Sequence, residues 1–258
     1  MASDESVETL QIEELDRGML RTPSGTPTSL MERQLRAYAR DLRRVLQQER
    51  RAAAELRDAY MDTFRRLLSV VSCCHHETAR HLERIGAYVE VMAGGLGLEE
   101  AEVGSLARAS VLHDIGKLGI PRGILNKPGP LNAEERRTVE THTTLGERIL
   151  DGSPSPDVQL SAVIAASHHE NWDGSGYPRG LSGESIPLAG RIVRLADQYD
   201  ALRSARPYKR AFTHEEASRV ILEGDDRTSP SHFDPGLLDV YRRLHPEFAR
   251  LCREIGPN

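Results

Sequence analysis

The sequence predicts an all-α protein, and three observations carry the prediction. Apolar residues recur at threes and fours over long stretches, beginning with Leu35, Tyr38, Leu42 and Val45. Residues with helix-capping chemistry stand where such stretches open: Asn132 with Glu135 three positions on, Thr213 with Glu216, and Asp234 followed by Pro235. No pair of alternating apolar runs suggests a sheet, and no internal repeat is present.

Taken in order, residues 1–28 are rich in Ser, Thr, Glu and Pro without a sustained apolar period, and read as a tail or linker. From Leu30 the chain runs without Pro or Gly as far as Gly86, which predicts one long helix or two collinear ones. Residues 29–64 form a helical arm on this reading, and residues 65–258 the main domain. Glu49 and Ala52 interrupt the heptad seam of the arm, so a short dimeric coiled coil and a helix folded onto its own domain both stay open. Arg43, Arg44, Arg50 and Arg51 read as its solvated face.

The same run continues through Phe64, Leu67, Leu68 and Val71 to Glu77 and His81, which lie four apart and share one helical face. A further helix is predicted from about Glu99 to Asp114, bringing His113 and Asp114 to a terminus supplied by Gly116 and Gly119. An apolar, Pro- and Gly-rich loop covers 120–130. A helix capped by Asn132 then carries His142 and runs to about Leu150, and a central apolar helix from about Pro156 ends in His168-His169-Glu170. After the loop Asn171-Trp-Asp-Gly-Ser-Gly-Tyr-Pro178, a helix turns Ile192, Leu195 and Ala196 inward and sets Asp197 beside the core, with Asp200 one turn later. Helices opened by Thr213 and Asp234 complete the chain.

At 258 residues, 38% hydrophobic and 28% charged, the chain can bury one sizeable core. A net charge of -5 gives no reason to expect a nucleic-acid polymer as partner. The longest apolar run is too short to span a bilayer and the acidic N-terminus lacks signal-peptide character, so a cytoplasmic protein without membrane attachment is expected. The three cysteines, Cys73, Cys74 and Cys252, read as reduced, and Cys73 and Cys74 as core filler.

His113 and Asp114 are the centre of this pattern. Neighbours on a helix diverge by about 100°, so both reach one point only from a helix terminus. A lone buried His-Asp pair is commonly an Asp fixing a core imidazole. Here every long helix of the main domain adds His or carboxylate: Glu77, His81, His142, His168, His169 and Asp197. That mix suits hard and borderline divalent ions, the absence of Cys from it argues against a structural zinc site, and eight candidates exceed the needs of one ion.

The motifs His113-Asp114-Ile-Gly-Lys117, His142, His168-His169-Glu170, Gly176-Tyr177-Pro178, Asp197 with Asp200-Ala-Leu202, and Arg206-Pro-Tyr-Lys209, in this order, resemble the HD-GYP family of the HD phosphohydrolase superfamily. The resemblance covers about residues 65–245. It implies an all-α HD-type bundle and a metal-dependent phosphodiesterase that hydrolyses cyclic di-GMP to linear pGpG, GMP or both. Carried over by position, the metal set is His81, His113, Asp114 and Asp197, extended by His142, His168 and His169. Glu77 matches members that hold three ions, so the expectation is two or three divalent ions, three favoured, with iron or manganese suiting the ligands. Asp114 is expected to bridge ions, and a hydroxide bridging two of them is a nucleophile near neutral pH, since coordination lowers the pKa of water from about 15.7 toward roughly 7.

Lys117 reads either as an ammonium aimed at the scissile phosphate or as a salt bridge to Asp114. Arg206 and Lys209 resemble the family's contacts to the second phosphate and guanine. Tyr177 either touches the ligand or belongs to a rigid loop facing a diguanylate cyclase or another signalling protein. Asp173 is expected to tie that loop down, and Trp172 either lines the pocket or plugs the core. His75, His76 and His232 are assigned no catalytic part, and the segment 224–234 departs from the family in having less glycine. Any input signal is expected through the helical arm, by homodimerisation or through a partner. Two readings of other classes compete: a non-catalytic cyclic-dinucleotide-binding module, and an HD-type di-iron oxygenase, which Lys117, Arg206 and Lys209 disfavour.

Overall fold

The computed structural model describes residues 30–74, 79–204 and 210–256, without the side chains of 57, 58 and 60–74. Glu77, His75, His76, Arg206 and Lys209 therefore lie outside the described residues, as do the side chains of Cys73 and Cys74. Among the described residues there are helices and turns and no strand. The chain divides into two compact units, Met1–Asp62 and Thr63–Asn258. The first, over its described part, is the greater portion of one helix, α1 (Leu30–Cys74), whose Leu35, Tyr38, Leu42 and Leu56 are exposed. No helix among the described residues is long and apolar enough to cross a membrane.

The second unit contains α2 (Ala79–Gly95), α3 (Glu100–Ser110), a 3-10 turn (Ile115–Gly119), the short α4 (Arg122–Leu125), α5 (Ala133–Glu140), α6 (His142–Leu150), α7 (Pro156–Ser167), α8 (Leu188–Arg203), α9 (His214–Glu223) and α10 (Pro235–Ile255). Asn132 caps α5 and Thr213 caps α9, each with its Glu reaching back to the cap's N–H, and Asp234 accepts from Gly236 ahead of α10. These starts are where the sequence predicts them.

α8 runs through the middle, packed against α2, α7 and α9. Ile192, Val193, Leu195, Ala196 and Tyr199 are fully buried on it, and Tyr88 of α2 stacks on Phe248 of α10 at 4.6 Å. Each of the Val, Leu, Ile and Phe side chains among them contributes roughly 1.5–3 kcal/mol on burial. The ring of contacts holds Asp197 and Asp200 at a fixed height on α8, facing α2.

Two expected helices are broken, and both breaks serve the same place. The helix predicted to reach Asp114 ends at Ser110, and His113 and Asp114 ride on a tight turn ahead of the 3-10 segment. The helix predicted from Asn132 to Leu150 is interrupted at Thr141, so that His142 opens a new one. Gly116 does not end a helix as expected; it permits a close approach. A β-carbon there would lie 1.8 Å from the carbonyl oxygen of His142 and 2.5 Å from the nitrogen of Gly146. Only glycine lets the turn bearing Asp114 rest directly on the backbone of α6. Gly190 acts likewise between α8 and α7, where a β-carbon would meet the Ser167 side chain at 2.2 Å. Gly116→Ala must push the turn and α6 apart, so a destabilisation of about 1–3 kcal/mol is expected together with weakened metal binding. Thermal unfolding and a metal titration of the same sample check both.

Candidate metal centre

Three histidines reach the centre at or just past helix ends, where the last carbonyls can accept a side-chain donor. The Nδ1 of His113 lies 2.9 Å from the carbonyl oxygen of Ser110, that of His142 lies 2.6 Å from Val139, and that of His168 lies 3.1 Å from both Ile164 and Ala165. A carbonyl can only accept, so each Nδ1 carries the proton and each Nε2 presents a lone pair. His81 is oriented differently: its Nδ1 donates to Asp200 Oδ2 at 2.7 Å. Asp200 is itself clamped by Arg84, whose Nε and Nη2 donate to its two oxygens at 2.6 and 2.8 Å. Burial acts to raise the Asp200 pKa, but the Arg84 and His81 hydrogen bonds outweigh it and keep the carboxyl below its ordinary range.

The ligand atoms gather into two groups. Asp114, His142, His168 and His169 form one, and His81, His113 and Asp197 the other, with all atoms inside each group within 4.8 Å of one another. Asp114 joins them. Its Oδ1 lies 3.1 Å from His142 Nε2 and 3.6 Å from His168 Nε2, while Oδ2 lies 3.2 Å from His113 Nε2. His113 Nε2 is in turn 3.9 Å from Asp197 Oδ1. His169 packs at 4.1 Å against His168 and stacks on Tyr177 at 4.7 Å between ring centroids.

This donor set fits divalent cations. Asp114 Oδ1 is buried and has no hydrogen bond, although two imidazole nitrogens stand close by. Those nitrogens are acceptors too, because their protons sit on the far side of the rings. Several acceptors facing one another at such distances are mutually repulsive unless a cation lies among them. A carboxylate with one oxygen toward each group is also the arrangement a bridging ligand requires.

The electrostatics agree. Burial works to raise the Asp114 pKa, yet the ammonium of Lys117 and the ring of His113 hold it well below the usual carboxylate range. Lys117 forms an ion pair with Asp114 Oδ2, the second of the two roles its position suggests. Burial, reinforced by their histidine neighbours, lowers the pKa of His168 and lowers that of His169 well below the ordinary imidazole value. Both rings are neutral in the fold, as ligation requires.

A depressed imidazole pKa makes stability depend on pH in a definite direction. Above about 6.5 neither the folded nor the unfolded imidazoles are protonated. As pH falls below that value the unfolded chain takes up protons that folded His168 and His169 refuse, so stability is lost. Metal-free protein is therefore expected to lose up to roughly 1.4 kcal/mol per pH unit for each of these histidines below about pH 6.5. Denaturant midpoints measured between pH 7.5 and 5.5 check the slope and its sign.

The loop after His169 is anchored by side chains. Buried Glu170 accepts from the backbone N–H groups of Arg179 and Leu181 at 2.7 and 2.9 Å. Asp173 accepts from Ser175 and Ser231, tying the loop down as expected. Trp172 is half-buried under the Arg191 guanidinium, whose carbon lies 5.6 Å from its ring centroid. His232 belongs to a short turn beside it. Sequence reasoning missed the Arg84-Asp200 clamp and the Glu170 anchor. A signal for the first was present: His81 and Arg84 are three apart on α2, as Asp197 and Asp200 are on α8, so the two pairs can face each other in register.

Comparison with known proteins bears on this centre. A family model described as "HD domain" matches residues 62–237. A cyclic di-GMP phosphodiesterase of Thermotoga maritima is 40% identical over 221 residues, 84% of this chain and 59% of that protein. The cyclic di-GMP phosphodiesterase response regulator RpfG of Xanthomonas campestris is 39% identical over 227 residues, 86% of this chain and 59% of its own length. A 3'3'-cGAMP-specific phosphodiesterase 2 of Vibrio cholerae is 39% identical over 194 residues, 75% of this chain and 36% of that protein. The chain thus spans well under two thirds of the length of these relatives. The family match runs from before the helix of His81 to the start of α10 and takes in every acceptor of the two groups: the chain belongs to the HD domain family.

Proposed function

We propose that this chain is a metal-dependent phosphodiesterase of the HD-GYP branch, acting on cyclic di-GMP and releasing pGpG, GMP or both. The observation that carries the reading is the gathering of six histidine and aspartate side chains around Asp114, in two groups of acceptors, with the tautomers of His113, His142 and His168 set for ligation. His81, His113 and Asp197 would hold one ion, His142, His168 and His169 another, with Asp114 shared between them. Glu77 is proposed for a third ion, and iron or manganese suits this ligand mix. Bound divalent ions supply Lewis acidity toward a phosphate and toward water.

The chain's own residues supply the rest. Asp114 keeps the two groups in register, and Asp200 fixes the ring of His81. Lys117, paired with Asp114, has an ammonium at the edge of the centre that can turn to a phosphate oxygen. Tyr177 lies over His169 and would form one wall for a nucleotide; Arg206 and Lys209 are proposed to contact its second phosphate and guanine. Homodimerisation through the exposed apolar residues of α1, a signalling partner such as a diguanylate cyclase at the Gly176-Tyr177-Pro178 loop, and a cytoplasmic location complete the proposal. The relative specific for 3'3'-cGAMP makes that dinucleotide the second substrate to test.

The test is turnover. Protein loaded separately with iron and with manganese is assayed for cleavage of cyclic di-GMP and of 3'3'-cGAMP, with product separation and metal analysis on the same sample. Cleavage of cyclic di-GMP with at least two ions per chain is the expected result. Tight dinucleotide binding without cleavage would instead assign a binding module, and oxygen consumption without phosphate-ester cleavage an oxygenase.

A further inference from the structure

Arg194 is an arginine that neither the motifs nor the metal ligands account for. It lies on α8 one turn before Asp197 and is half-buried. Its Nε donates to Asn171 Oδ1 at 3.0 Å and its Nη1 to Gln198 Oε1 at 3.0 Å. The guanidinium carbon stands 5.5 Å from the ring centroid of buried Phe233. Both acceptors are themselves held: Asn171 donates to Ser175, and Gln198 to Thr228. The guanidinium is therefore held at Nε and at Nη1 and covered on one face, while Nη2 makes no hydrogen bond among the described residues.

What this cation lacks is a counter-charge. Arg191, one turn earlier, is paired with Asp234 at 2.5 Å, and Arg84 is clamped to Asp200. Arg194 has neutral amides for partners, with no carboxylate in ion-pair range among the described residues. Burial pushes its pKa down against the more distant charges of Asp197 and Asp173 and the ring of Tyr177. Its hydrogen bond to Asn171, two residues after His169, and its position one turn before Asp197 set it beside both the metal centre and the glycine-rich loop. A partly buried, preorganised cation without a carboxylate partner is suited to an anionic ligand.

We propose that Arg194 is a phosphate-recognition residue of this centre, presenting its Nη2 amino group to the non-bridging oxygens of a nucleotide phosphate. The proposal rests on the phosphodiesterase reading for its substrate but not for its test. A guanidinium held at Nε and Nη1 and backed by an aromatic ring leaves the two N–H groups of Nη2 to donate, which suits the oxygens of a phosphate. Arg194 holds and orients the phosphate; the chemistry stays with the ligand set around Asp114.

The experiment uses manganese-loaded full chain with GMP and with inorganic phosphate as probes, read by calorimetry. Arg194→Gln is expected to weaken both by the same factor, on the order of 10- to 100-fold for a lost charge-assisted hydrogen bond, while metal content and Tm stay at wild-type values. Loss confined to GMP would mean a base contact, and unchanged affinity for both would mean a structural clamp; either result overturns the proposal. Should Arg194→Gln fail to load metal, Arg194→Lys decides. It keeps a positive charge without the guanidinium: phosphate binding weakened with metal retained supports the proposal, and phosphate binding unchanged with metal retained overturns it. If wild type binds phosphate but cleaves no cyclic dinucleotide, the phosphodiesterase reading fails while Arg194 is judged by the same binding data.

Discussion

Asp114→Ala is expected to abolish binding of at least one metal ion and to reduce the proposed phosphodiesterase activity by on the order of 10³-fold or more. Asp114 places one oxygen near His142 and His168 and the other near His113, so its removal disconnects the two groups of acceptors. Loss of several kcal/mol of charge stabilisation, at 1.36 kcal/mol per decade of rate, sets the scale. The fold should survive, because the lost side chain belongs to a set of opposed acceptors and its partner Lys117 is half-exposed and can turn to water. Metal analysis, far-ultraviolet circular dichroism and initial rates on one preparation check the three claims. A variant that keeps both its metals and its rate would show that Asp114 bridges nothing.

Asp200→Ala is expected to damage stability as well as metal binding, although Asp200 belongs to neither group of acceptors. The side chain is buried and satisfies both Arg84, itself buried, and the Nδ1–H of His81. Breaking a buried ion pair from one side leaves an uncompensated charge and costs about 3–5 kcal/mol. Metal affinity should fall by roughly 10- to 100-fold in addition, since His81 loses the acceptor that fixes its ring. Denaturant unfolding of the metal-free variant isolates the first effect, and a manganese titration under folding conditions the second. Asp200→Asn should be milder on His81, whose Nδ1–H can still donate to the amide oxygen, and nearly as harmful to Arg84. Equal stability of wild type and Asp200→Ala would mean that Arg84 finds another partner, through its Nη1 bond to the carbonyl of Gly256 for example.

The helix starts were legible because they are local events. Asn132 and Thr213 cap their helices with the Glu three residues on, whatever lies around them. Two internal ends were not legible. No glycine or proline stands at Ser110 or at Thr141, and each helix stops because the turn or helix that follows is packed elsewhere: the His113-Asp114 turn on α6 through Gly116, and α6 against α7. The eight candidate ligands could be named from residue type and spacing, and the seven within the described residues do meet. Their division into two groups was not in the spacing. It depends on which helix faces which.

Taken by itself, the sequence determined the helical class, most helix starts, the side chains offered to a cation and the kind of cation they suit, because capping, periodicity and ligand hardness are properties of short segments and single groups. The tertiary structure decided which nitrogen of His81, His113, His142 and His168 points inward, that Asp114 joins two sets of acceptors, that Asp200, clamped by a buried arginine, holds His81, and that Arg194 stands beside the centre without a carboxylate partner among the described residues. Each of these depends on carbonyls, carboxylates or aromatic rings brought from dozens of residues away or freed only where a helix is made to stop. No local pattern encodes such a meeting. It exists once the core around α8 has closed.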